Sequence, residues 1–153
     1  MASLVSLPPT VGGTTDIHTT AQNPLLMRAF DAAGNEYIYL KGVASLVAED
    51  WVFYDELAVT TRTVANSKGP VAIAQAAVLA GQFGWFGING VFAGDVATGA
   101  DNANVWVTST AGRVDNTDVA VDIITNAVQR SATAANSALF EIHYPFCHNV
   151  VLN

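Results

Sequence analysis

Charge is scarce in this chain. Asp, Glu, Lys and Arg make up 12% of its 153 residues, about half the ~25% of an average soluble domain. Only six residues are basic (Arg28, Lys41, Arg62, Lys68, Arg113 and Arg130), no two of them adjacent, against 13 acidic ones, for a formal net charge of −7. Binding a phosphate backbone takes clustered cations that release counterions, so nucleic acid is not an expected partner. Cysteine is almost missing as well. Cys147 stands alone, which rules out an internal disulfide and a thiolate cluster. The three histidines, His18, His143 and His148, are too few and too badly spaced for a three- or four-ligand metal site; neither metal nor cofactor is expected. No run approaches the ~18 consecutive apolar residues of a membrane helix. Met1 to Leu7 has no basic residue and no sustained apolar stretch, so no secretory signal is expected there.

Motifs for catalysis are missing too. There is no glycine-rich phosphate loop ending in Lys-Ser/Thr and no Gly-x-Ser-x-Gly elbow. His143 and His148 flank Cys147, but on a strand His143 shares a face with Glu141, and Cys147 reads as a small buried hydrophobe. The acidic pairs Glu49-Asp50 and Asp55-Glu56 bracket Trp51 to Tyr54; they read as solvated turn residues at the two ends of an aromatic strand. Gly94-Asp95 and Gly99-Ala-Asp101 lack the alternating acids of a calcium loop. No enzyme is expected, since no nucleophile–base pair can be named.

What is abundant is apolar side chain, 51% of the sequence. One domain of this length buries roughly 68–70% of its unfolded surface without disulfides or metals. Residues 1–24 form a separate block with Pro8-Pro9, Gly12-Gly13, Thr14-Thr15, Thr19-Thr20 and Pro24, and no apolar period between Thr10 and Asn23. The double proline favours extended backbone, and the block reads as an N-terminal arm ahead of a single β-rich domain over 25–153.

From Leu25 onward, short strands alternate with turn signals every 8 to 14 residues. Leu25 to Phe30 and Tyr37 to Val43, joined by Asp31-Ala-Ala-Gly-Asn35, predict a hairpin. Trp51 to Tyr54, Leu57 to Val64, Val105 to Thr110 and Ala138 to Tyr144 predict further strands, the last ended by Pro145. Asn66 to Pro70 and Ala111-Gly112 read as turns, and Gly94 to Asn102 as a loop. Val71 to Leu79 reads as a strand running into a short helix or turn, and Val119 to Val128 as strand or one helical turn. Gln82 to Phe92 mixes four aromatics with three glycines, the sign of a bent strand. With no long amphipathic helix between them, these strands predict a compact antiparallel β-barrel or β-sandwich with at most one or two short helices.

The stretch from Arg28 to Val43, with its GNEYIYLKGV strand, is followed in order by GPVAIA at 69–74, GWF at 84–86 with Gly90, TSTAG at 108–112 and Tyr144-Pro145-Phe146. This ordered set, over roughly 25–146, resembles a family of tailed-bacteriophage structural proteins, the head decoration (cement) or minor capsid proteins. The resemblance implies a virion protein on the outer capsid surface, made in the host cytoplasm. It would bind the major capsid protein and itself, commonly as a trimer, and stabilise the head. Low charge and a high apolar fraction suit permanent interfaces. Pro8, Pro9, Ile17, Trp51, Trp85, Phe86 and Trp106 are the candidate interface residues, the aromatics reading as core first and as interface anchors second. A tail, neck or fibre component of the same particle, or a carbohydrate-binding β-sandwich using aromatics between Glu49 and Glu56, are the alternatives.

Overall fold

A computed structural model describes residues 12–117 and 122–149. Among them there is no helix, and eleven strands form one continuous antiparallel sheet. In chain order these are β1 (Ile17–His18), β2 (Arg28–Phe30), β3 (Glu36–Lys41), β4 (Trp51–Tyr54), β5 (Thr60–Arg62), β6 (Gly69–Ala74), β7 (Phe83–Asp95), β8 (Asn104–Val107), β9 (Val114–Asp115), β10 (Asp122–Gln129) and β11 (Ser137–Asn149).

Two long strands join two wings. The first half of β7 pairs with β3, and Phe86 and Gly87 also pair with β6, while residues 89–95 pair with β11. Conversely β11 pairs with β7 as far as His143, then Phe146 and Cys147 pair with β6. One wing is therefore β2–β3–β7–β6–β4–β5 and the other β7–β11–β10–β8–β9. The partner exchange takes place at two backbone irregularities, Gly90 (φ +129°) and Tyr144 (φ +51°). The predicted end of the last strand at Pro145 is thus corrected. Pro145 stands at the bend of β11, where the register against β10 slips between Thr125 and Ala127, and an irregular position has no need of the N–H that proline lacks.

The first wing rolls up. At one end Lys41 N donates to Ala58 O (2.9 Å), and Thr60 Oγ1 donates to Lys41 O (2.7 Å), so the tip of β3 meets the approach to β5. Inside the roll lie Ile38, Leu40, Val52, Ala72, Ala74, Phe86 and Ile88, capped by Leu46, Ala58 and Val78 from the connecting loops. Alternate residues of the same strands (Tyr37, Tyr39, Trp51, Phe53, Val71, Ile73 and Trp85) face a second, larger core shared with Phe92, Val105, Ile124, Phe140, Ile142 and Cys147 of the other wing. Strands β3 and β6 are thus covered on both faces, which is why their sequences run apolar without alternation. Trp51 and Phe140 meet edge to face at 4.9 Å, a contact worth about 0.5–1.5 kcal/mol beyond its buried area.

The β2–β3 hairpin forms as expected, its turn held by Asp31. That carboxylate accepts from the backbone of Ala33 and Asn35, from Asn35 Nδ2 and from the Tyr37 hydroxyl, at 2.8–2.9 Å. Val71 to Leu79 resolves into β6 and a bend, without the helical alternative, and Asp122 to Gln129 is strand. Gly69 and Pro70, predicted as turn, open β6, while β7 continues through Gly94-Asp95, predicted as loop. The part of the arm described here, residues 12–24, lies on its own domain: β1 pairs with Phe83 and Gly84, and His18 Nδ1 is 2.7 Å from the Tyr39 hydroxyl. Residues 1–11, including Pro8 and Pro9, fall outside the described residues.

Gly90 offers the sharpest test of the junction. A Cβ there would lie 2.1 Å from Asn35 Oδ1, the atom that accepts from Val91 N. Gly90→Ala therefore adds overpacking, typically ~1–3 kcal/mol, to the strain of a positive φ. Gly34 has φ +86° but nothing within 4 Å of its Cβ position, so Gly34→Ala is expected to lose clearly less stability. Urea unfolding of the two variants side by side checks the ranking.

Candidate functional site

Two surfaces stand out. The first is the outer face of the second wing. Register places Val91 beside Glu141, Ala93 beside Leu139 and Val128 beside Glu141. Further along, Phe146 lies beside Thr125, and Ile123 lies between His148 and Trp106. Val91 and Leu139 are 48% and 47% exposed, and Phe146 is 37% exposed with its ring 4.7 Å from that of His148. Two apolar patches result, Val91–Ala93–Leu139–Val128 and Phe146–His148–Ile123–Trp106. A polar chain crosses the first patch: Arg130 Nε to Glu141 (2.8 Å), Glu141 to His143 Nε2 (3.0 Å) and His143 Nδ1 to Asn89 (2.8 Å). Hydrogen bonds from His143 and then Arg130 hold the Glu141 carboxyl below its usual pKa. As predicted, His143 and Glu141 share a face.

The second surface is a cleft on the first wing. Ala58 and Thr60, at the start of β5, are tied to Lys41 at the end of β3, and next to the turn that makes this tie lies a cleft of about 510 Å³ lined by residues of β2, β3, β4 and β6 and their flanks. Its residues continue the rows of the inner core outward: Pro70 and Lys68 follow Ala74 and Ala72 along β6, Tyr54 follows Val52, and Arg28 sits across from Ile38. Arg28 is held in place. Its Nη1 is 3.2 Å from the carboxylate of the buried Glu36, which also accepts from the Tyr144 hydroxyl, and its guanidinium lies 5.4 Å over the Tyr144 ring. Burial raises the pKa of the Tyr54 hydroxyl, so it stays protonated across the neutral range.

The candidate residues separate cleanly. Trp51, Trp85 and Phe86 are buried at 0–2% exposure; of their two readings, core is the one the fold gives. Ile17 is 42% exposed on β1, and Trp106 is half-buried on the outer face. Cys147 points into the core while His148 points out, so the strand separates them; burial pushes the Cys147 thiol up to about 12. Among the described residues no three His, Cys, Asp or Glu side chains cluster as metal ligands. The acidic pairs divide. Asp55 Oδ1 accepts from Leu57 N and Val59 N (both 2.9 Å) in an exposed turn, as expected. Asp50 is instead fully buried, 2.8 Å from Arg62 Nε. Burial raises its pKa despite the Val47 N–H and Arg62. The expectation of a solvated Asp50 is corrected: Asp50 ties the start of β4 to β5.

Neither Glu36 nor Tyr144 was singled out from sequence. Glu36 lies in a strand-like run whose alternation would place it at a surface, and only the bend at Tyr144 brings a hydroxyl to it. No protein-family model, curated protein or solved structure matches the chain.

Asp31 supplies a pH-dependent test of the frame beside the cleft. Desolvation pushes its pKa up, but its four hydrogen bonds together outweigh that and hold it below 3.8. A depressed folded pKa gives stability that is present above the unfolded value and lost as pH falls through the folded one. Asp31→Ala is expected to lower the urea midpoint at pH 7, and the gap from the parent should narrow as pH falls below about 3.8. Arg62→Ala should cost about 3–5 kcal/mol at pH 7 in the same assay, because it strands a buried carboxylate.

Proposed function

We propose that the chain is a non-catalytic structural subunit of a phage virion, a decoration (cement) protein that binds the major capsid protein lattice as a homo-oligomer. The observation that carries this reading is the outer face of the second wing: two apolar patches on a paired sheet, the first crossed by a polar chain whose members are already hydrogen-bonded to one another. Permanent interfaces use such surfaces, apolar in their centres and hydrogen-bonded at fixed points. The trimeric state and the capsid partner come from the family resemblance. The acid excess suits the outside of a shell, away from packaged DNA. Residues 17–18 of the arm are spent on the chain's own sheet.

Leu139→Lys with Val91→Lys should leave the fold intact, both side chains being about half exposed. Burying a Leu or Val side chain is worth ~1.5–3 kcal/mol, so binding to particles lacking the chain is expected to weaken at least tenfold. Co-sedimentation with such particles measures this, and unchanged binding would remove the outer face from the assembly. Quantitative mass spectrometry of purified particles sets the location: parity with the major shell protein supports decoration, and a few per cent moves the chain to the tail or neck.

A further inference from the structure

The cleft on the first wing is made of side chains that the particle-binding face does not use. Its floor is apolar, from Leu26, Ile38 and Pro70, and Tyr54 contributes a half-buried ring with a protonated hydroxyl. Around it stand two cations, Arg28 and Lys68, and two carboxylates, Asp55 and Glu56. Arg28 is fixed by Glu36 and Tyr144, and Asp55 by its own turn. Among the described residues, no ion pair engages Lys68 or Glu56. At about 510 Å³ the cleft falls within the 300–1,000 Å³ range of small-molecule sites.

The mixture of charges selects the ligand. An anion placed here meets Asp55 and Glu56, and a cation meets Arg28 and Lys68. A neutral ligand whose every polar group both donates and accepts satisfies all four, and a hydroxyl does both. The side chain of Tyr54 and the apolar floor line the cleft with the kind of aromatic and apolar surface that the C–H face of a sugar ring packs against. We infer that this cleft is a binding site for a neutral saccharide, with Tyr54 as platform, Arg28 and Lys68 as donors and Glu56 as the acceptor free to respond to the ligand. The site differs from the one the sequence suggested. Trp51, the aromatic first placed between the acidic pairs, is wholly buried and cannot stack on a ligand; Tyr54, three residues on, lines the cleft. The inference stands apart from the particle reading, because the cleft and the outer face share no residue.

The test uses the full chain, isotope-labelled, titrated in NMR with neutral malto-, cello-, chito- and galacto-oligosaccharides. A sulfated oligosaccharide and an uncharged extended peptide serve as comparison probes. The expected result is saturable shifts at residues 26–28, 54–56 and 68–70 with at least one neutral oligosaccharide. Affinity should fall at least tenfold in Glu56→Ala and in Lys68→Ala, both exposed changes whose spectra report that the fold persists. Tyr54→Phe, which keeps the ring, should lose less than Tyr54→Ala. Three results would overturn the site: no cleft shifts with any neutral oligosaccharide, shifts only with the sulfated probe or the peptide, or undiminished affinity in Glu56→Ala with Lys68→Ala.

Discussion

β7 and β11 each join both wings of the sheet, and the rest of the molecule depends on where they change partners. A strand of 13 residues would ordinarily twist away from its neighbours or carry them with it. Here the left-handed positions at Gly90 and Tyr144 break each strand's path, and β6 takes over the pairing that β7 and β11 give up. Asn35 covers the gap at Gly90 by accepting from Val91 N, and Tyr144 reaches across to Glu36. One backbone group at the bends, Val91 N, is thus met by a side chain from the neighbouring hairpin, and the buried Glu36 carboxylate is met by the Tyr144 hydroxyl. The bend that permits the two wings also delivers the hydroxyl that anchors Arg28, so the cleft is a by-product of the same junction.

Folding one sheet into two wings makes two cores from one set of strands. Tyr39 and Leu40, adjacent in β3, are both fully buried in different clusters. This doubles the use of each strand and accounts for much of an apolar fraction of 51%, while side chains such as Phe30, Val47, Leu57 and Val91 remain exposed. It also leaves little room at the strand ends. Gly94 packs against Trp51 and Phe140, where a Cβ would come within 2.8–2.9 Å, so the glycines among the aromatics of β7 mark close approach, as their pattern suggested.

Much of this was legible in the sequence, and what was not has a common cause. Strand existence followed from β-branched and aromatic runs bounded by turn residues: the β2–β3 hairpin, Trp51–Tyr54, and the strand of Gln82 to Phe92 all stand where those signals put them. The face a residue occupies was harder. Period-2 reasoning assumes one buried face, and β3 and β6 have two, so burial of Glu36 could not be read from alternation. Asp50 was misplaced for a similar reason: its acidic neighbour and the turn around it look solvated, and Arg62, 12 residues later, is brought in only by the β4–β5 pairing. Pro145 looked like a terminator because proline breaks a ladder, yet at an irregular position the ladder is already broken. The cleft was only half visible, since Tyr54, Asp55 and Glu56 adjoin in sequence while Arg28 and Lys68 arrive from β2 and β6.

The scarcity of charge takes on a sharper meaning once the pairs are placed. All four arginines are in ion pairs, Arg28 with Glu36, Arg62 with Asp50, Arg113 with Asp95 and Arg130 with Glu141. Each ties elements distant in sequence or joins adjacent strands, where a planar guanidinium matches a carboxylate better than an ammonium does. That leaves Lys41 and Lys68 as the cations not committed to an ion pair among the described residues. Lys41 lends its backbone to the tie between β3 and the start of β5, and Lys68 lines the cleft. With so few charges, the fold spends its arginines on internal geometry and leaves the surface to apolar and hydroxyl side chains. A surface of that kind associates readily, and Lys68 and Glu56, neither in an ion pair among the described residues, line the same apolar cleft.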